Sequence, residues 1–108
     1  MDNNMQKGGY LYINTTSKNT VLYIGATSDI HARDWKHKTG YYQSSFTKKY
    51  NVDKLVYYEY YDNIEDAIRR EKQIKNWRRE KKINLIKTMN PEFKELSLFD
   101  DNHPSEKE

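Results

Sequence analysis

The 108-residue sequence has no cysteine, which removes both a disulfide framework and a thiolate metal site from consideration. It also has no long apolar run. The N-terminal stretch from Met1 to Gly9 is polar, without the hydrophobic centre of a signal peptide, and segments such as Leu55 to Tyr58 are far too short to span a bilayer. A cytoplasmic location without a membrane partner is the expectation. Repeats and low-complexity tracts are missing as well. Hydrophobic residues are scarce at 35% against 32% charged, but ten Tyr, three Phe and two Trp supply burial that a disordered chain of this polarity lacks. A chain of this size forms one core. The expected organisation is a flexible N-terminus over residues 1–8, a single domain over 9–99 and a disordered acidic tail over 100–108.

The formal charge of +3 conceals an asymmetry. Residues 100–108 carry four acids against one lysine, a net of −3, which leaves +6 on residues 1–99. Between Arg69 and Lys87 stand nine Lys or Arg with only Glu71 and Glu80 against them. Such a run is either a solvated helix face or a track for phosphates. The residues expected to contact a nucleic acid are Lys48, Lys49, Arg70, Lys75, Arg78, Arg79 and Lys82.

Period-2 alternation sends Tyr10 and Tyr12 to one face of a first strand and Leu11 and Ile13 to the other. In Val21 to Gly25 it separates Val21, Tyr23 and Gly25 from Leu22 and Ile24. The polar Asn14 to Thr20 segment between them predicts an antiparallel hairpin, and coincident aliphatic faces make Tyr12 and Tyr23 neighbours. A helix is expected from an N-cap at Thr27, Ser28 or Asp29 to about Lys38, with Ile30, Arg33 and His37 on one face. Tyr41 to Asn51 reads as a loop, with Phe46 and Tyr41 or Tyr42 available to stack on bases. Leu55 to Tyr61 is the third strand. Asn63 caps the longest helix, where Ile64, Ala67, Ile68, Ile74 and Trp77 mark a buried stripe and Glu71 interrupts it. After the basic run Arg78 to Lys82, a short helix turns Ile83, Leu85 and Ile86 inward and stops at Asn90-Pro91. The fold class is α+β: a small three-stranded antiparallel sheet flanked by helices, in the order β-β-α-β-α-α.

Polar groups at core-facing positions are those a functional site contributes. Here they are Tyr12, Tyr23, Arg33, His37 and Glu71. Each alone has a structural alternative: packed strand tyrosines, an Arg33–Glu71 ion pair, a packed histidine. Together they resemble the GIY-YIG nuclease superfamily, and within it the small stand-alone bacterial YhbQ-like group. Tyr10-Leu11-Tyr12 resembles the first motif and Tyr23-Ile24-Gly25-Ala26-Thr27 the second. Tyr10 stands where the family name has glycine, and Leu11 where it has isoleucine. Arg33 followed by His37 resembles the pair on the family's first helix, Glu71 its metal-binding glutamate, and Asn90 its late asparagine. The resemblance covers Gly9 to Leu96.

The resemblance implies a phosphodiester hydrolase acting on DNA, with RNA also open, and one Mg²⁺ or Mn²⁺ held by Glu71. Arg33 would pair with the scissile phosphate, Tyr12 would act as general base, Tyr23 would position water or phosphate, and His37 would relay the proton. Two other classes share some of these features: a non-catalytic nucleic-acid-binding module, and a protein adaptor built on the tyrosine-rich strands. The chain is expected to be a monomer, with pairing through Leu55 to Tyr61 as the route to a dimer.

Overall fold

A computed structural model describes residues 8–30 and 51–96. The strands are β1 (Gly9–Thr15), β2 (Leu22–Thr27) and β3 (Lys54–Tyr61), and the helices are α1 (Ile64–Lys75) and α2 (Arg79–Met89). The strands form one antiparallel sheet in the order β2-β1-β3, so β1 is central. The predicted helix from Asp29 to Lys38 and the loop from Tyr41 to Tyr50 lie outside the described residues, apart from Asp29 and Ile30. Among the described residues no helix is long and apolar enough to cross a membrane.

The register accounts for the two faces. Ile13 stands opposite Ile24 on β2 and Tyr57 on β3, while Tyr12 stands opposite Gly25 and Tyr58. Cross-strand partners share a face. Leu11, Ile13 and Ile24 therefore join Val56, Tyr57, Ile74, Ile86 and Phe93 in the main core under the helices, with Leu22, Ile83 and Leu85 at its margin. On the opposite face Tyr12 packs with Ile30 and Leu55, flanked by Tyr10, Tyr23, Tyr58 and Leu96. The predicted separation of aliphatic and tyrosine faces is what forms.

β3 departs from strict alternation. Ile13 pairs with Tyr57 but Asn14 pairs with Leu55, so Val56 is an extra residue. A bulge of this kind leaves one residue outside the ladder and turns two successive side chains the same way. Val56 and Tyr57 accordingly both enter the main core. The Val56 carbonyl accepts a hydrogen bond from Asn90 Nδ2 at 3.0 Å.

The helices follow their sequence signals with two corrections. Asn63 caps α1, its Oδ1 accepting from the Asp66 amide at 2.9 Å, and Asn63 Nδ2 donates to the Asp66 carboxylate at 3.2 Å. Along α1, Ala67 and Ile74 are buried, but Ile68 is 37% exposed and does not belong to the stripe. Ile68 is one step of about 100° beyond Ala67, and the seam against the sheet is too narrow to include it. The second correction concerns α2, which begins at Arg79 and takes the basic run into its first turn. Arg, Glu and Lys are good helix formers, so the run is helix and not connector.

Asn90 ends α2 and secures the turn after it. Its Nδ2 also donates to the Lys94 carbonyl at 2.7 Å, and its Oδ1 accepts from the Lys94 amide at 3.0 Å. The intervening Phe93 has φ 54, a left-handed conformation unusual for an aromatic residue, and its ring is buried. Asn90→Ala removes three hydrogen bonds at once, one buried and two partly buried, and should cost about 2–3 kcal/mol. Thermal unfolding should show this as a fall in Tm of roughly 10 °C, and an unchanged Tm would contradict the assignment.

Candidate active site

The centre of the tyrosine face is a contact between two motif residues. Tyr12 on β1 is only 1% exposed. Its ring lies across Gly25, its partner on β2, so a Cβ built on Gly25 would fall 2.6 Å from both Cζ and Oη of Tyr12. Any larger residue there displaces the phenol. The Tyr23 ring is 6.2 Å from that of Tyr12, tilted by 42°. Tyr10 extends the aromatic group, edge-on to Tyr58 at 6.1 Å and to Tyr60 at 5.1 Å.

Glu71 comes from the other side. It lies on α1 between Ala67 and Ile74, the two residues that the helix buries, and its side chain is 20% exposed. One oxygen meets Lys75 Nζ at 2.6 Å, an i,i+4 pair whose lysine is half exposed. α1 packs mainly on β1 and β2. The helix that carries Glu71 thus packs on the aliphatic face and the tyrosine pair lies on the other, and α1 packs more on β2, the strand of Tyr23, than on the other edge strand.

The remaining expected site residues divide into three groups. Arg33, His37, Lys48 and Lys49 lie outside the described residues. Asn90 is buried with its amide engaged on three sides, so in this fold it is an anchor. Among the expected phosphate contacts, Arg78 and Arg79 are exposed, Lys82 is partly so, and Arg79 Nη2 donates to the Asn19 carbonyl at 3.1 Å. Arg70 has a different role. Its guanidinium turns inward to the sheet, Nε and Nη2 donating to Glu59 at 2.9 and 3.0 Å.

Glu59 is the principal electrostatic centre that sequence reasoning missed. Besides Arg70 it accepts from Tyr57 Oη at 2.5 Å and Tyr61 Oη at 2.6 Å. The signal was present in Tyr57-x-Glu59-x-Tyr61, because period 2 puts both phenols beside the carboxylate. Burial pushes the Glu59 carboxyl upward, but the donors from Arg70, Tyr57 and Tyr61 outweigh it and hold the group below its ordinary 4.5. Burial and the bond to Glu59 push Tyr61 up to about 12 and Tyr57 in the same direction.

Comparison with known proteins bears on the family and the fold. Residues 8–84 match the family model of the GIY-YIG catalytic domain. A UPF0213 protein of Syntrophus aciditrophicus is 41% identical over 83 residues, covering 77% of this chain and 93% of that protein. One from Staphylococcus aureus is 41% identical over 66 residues, 61% of this chain and 79% of its own. A solution NMR structure of a UPF0213 protein from Bacillus halodurans superposes with a TM-score of 0.51 at 27% identity, covering 80% of this chain and 89% of that one.

This geometry generates two testable outcomes. Gly25→Ala should lower stability by about 1–3 kcal/mol through overpacking, and NMR contacts between the Tyr12 and Tyr23 rings should be lost. Retention of those contacts at full stability would count against the packing described. The second outcome is a pH dependence. Tyr57 and Tyr61 hold their protons more tightly folded than unfolded, so their contribution is complete below pH 10.0, and that of Tyr61 disappears as pH rises through about 12. Glu59 acts in the opposite sense, its contribution being present above pH 4.5 and lost as the solution is acidified below it. Urea midpoints measured against pH should show both declines, with the alkaline one shallower in Tyr61→Phe.

Proposed function

The chain belongs to the GIY-YIG nuclease family, and from that premise we propose that it is a metal-dependent endonuclease hydrolysing phosphodiester bonds in DNA. The observation that carries the reading is the seating of Tyr12 on Gly25 beside Tyr23. It accounts sterically for both motif tyrosines and for the glycine on β2, and the helix that carries Glu71 packs on the same strand pair from the opposite face. The family acts on nucleic acid and generally depends on a divalent metal.

Glu71 is suited to holding that ion. The described residues contain no group of three or more His, Cys, Asp or Glu, and in this reading the ion is held by the single carboxylate of Glu71. That donor set fits a hard ion such as Mg²⁺ or Mn²⁺, completed by water and substrate phosphate. When bound, the ion supplies neutralisation of charge at the leaving oxygen. Lys75, itself half exposed, is the partner that the ion would displace.

Tyr12 serves as general base in this reading. A free tyrosine has a pKa near 10, so the role needs a cation nearby, and Arg33 takes that place while its fork holds the scissile phosphate. Tyr23 positions the attacking water, and His37 passes the proton outward. Asn90 contributes by anchoring α2 to β3, without touching substrate. The polymer is held by Lys75, Arg78, Arg79 and Lys82, extended by Lys48 and Lys49. Arg70 leaves this set because Glu59 occupies it. RNA is the other polymer such a track accepts, and the working unit is a monomer.

The decisive experiment is a cleavage assay on single-stranded, duplex and branched DNA and on RNA, with Mg²⁺, Mn²⁺ or EDTA. Cutting should require the metal, be abolished in Glu71→Gln and fall by at least about 100-fold in Tyr12→Phe. Salt-sensitive binding without cutting on any substrate would instead assign a non-catalytic binding module. Affinity should decline with salt, and Arg78→Ala with Lys82→Ala should reduce the slope of log K against log salt by roughly 1.5–2. A slope near zero would remove nucleic acid as the partner.

A further inference from the structure

Glu59 has more donors than stability alone requires. Two phenols and a two-pronged guanidinium converge on a carboxylate that is 17% exposed, and the arginine is 24% exposed. A mostly buried ion pair is often no more stabilising than apolar residues of the same volume, so its value lies in the geometry it enforces. The geometry here is that of α1. Arg70 immediately precedes Glu71, and its guanidinium is held from both sides: by Glu59, and by Gln73 Oε1, which accepts from Nη1 at 2.8 Å. The guanidinium also lies 5.3 Å from the Trp77 ring centroid, at the start of the connection to α2.

The apolar contact beneath α1 is concentrated at its two ends. The helix meets β1 where a Cβ on Gly9 would fall 2.7 Å from Ile64 Cα and 3.3 Å from Ala67 Cβ. Gly9, Ile64 and Ala67 bring the start of the helix down onto the sheet and Ile74 seats its last turn in the core, and between these apolar contacts Arg70 adds the polar tie to β3. A turn of roughly 15° moves a side-chain terminus about 6 Å from that axis by about 1.5 Å. Misplacement of about 1 Å at a reacting centre can cost about 100-fold in rate.

We infer that the Glu59–Arg70 fork is the positioning device that fixes the rotation of α1 and hence where Glu71 presents its carboxylate. The inference rests on the assignment of Glu71 as the metal-binding residue. Arg70 and Glu59 touch neither substrate nor metal; they act through the helix. The fork is essential, because a lysine at position 70 retains the charge but pivots about a single nitrogen.

The test uses Glu59→Gln and Arg70→Lys in the full chain, with Tyr61→Phe as a variant that leaves the fork intact. Three quantities are measured: residual dipolar couplings of amides 64–75 relative to those of the sheet, Mn²⁺ affinity without nucleic acid, and kcat and KM on the best substrate. Both fork variants should reorient α1, weaken Mn²⁺ binding about 10-fold and reduce kcat by 10- to 100-fold, with KM within about twofold of the parent. Tyr61→Phe should stay within about threefold of the parent throughout. If Glu59→Gln does not fold, Arg70→Lys alone decides. Couplings unchanged from the parent overturn the inference, as does a reoriented helix with parental Mn²⁺ affinity and kcat. If the parent neither binds Mn²⁺ nor cuts, and Glu71→Gln behaves identically, the nuclease reading fails and with it the role of Glu59 at a metal site.

Discussion

The pairing of β1 on both edges at a single register is the constraint on which the rest of the molecule depends. Tyr12 has Gly25 on one side and Tyr58 on the other, and Ile13 has Ile24 and Tyr57. A slip of one residue would exchange the faces, turning the phenols toward α1 and leaving Leu11 and Ile13 away from their core. The register is therefore held by burial on both sides of the strand. The same pairing brings Tyr12 onto Gly25, so core and candidate site are specified by one alignment.

Much of this was legible in advance because period-2 patterns survive folding when both faces of a strand are buried. The opposition of Leu11, Ile13, Leu22 and Ile24 to Tyr12 and Tyr23 needed only alternation. What alternation hides is an inserted residue. Leu55, Val56 and Tyr57 are all plausible in a strand at any phase, and the extra residue at Val56 is defined by its partners on β1. Helix azimuth was similarly hard to read. Ile68 and Arg70 flank the seam of α1 at angles where a small rotation decides which side is buried, and Glu59 resolves that rotation from a distant strand. Asn90 was legible as a motif position but not as an anchor, since its partners at Val56 and Lys94 depend on the bulge and on the turn after α2.

The two carboxylates on the helix side of the sheet show how environment separates roles. Glu59 is satisfied by four donors drawn from β3 and α1. Glu71 meets one half-exposed ammonium. A fully bonded anion has no capacity left for a ligand, whereas one that meets, among the described residues, a single half-exposed ammonium keeps coordination available. The chain thus has one acid that organises and one that is free to exchange partners, on neighbouring elements tied together by Arg70.

The central place of β1 has a consequence for motion. A strand bonded along both edges and packed on both faces belongs to the part of a protein that opens only with global unfolding, so its amides should be among the last to exchange with solvent. Tyr12 rides on that strand. Its phenol is consequently part of the fixed frame of the molecule, held by the strand pairing on either side of β1 and not by any segment at the margin of the sheet.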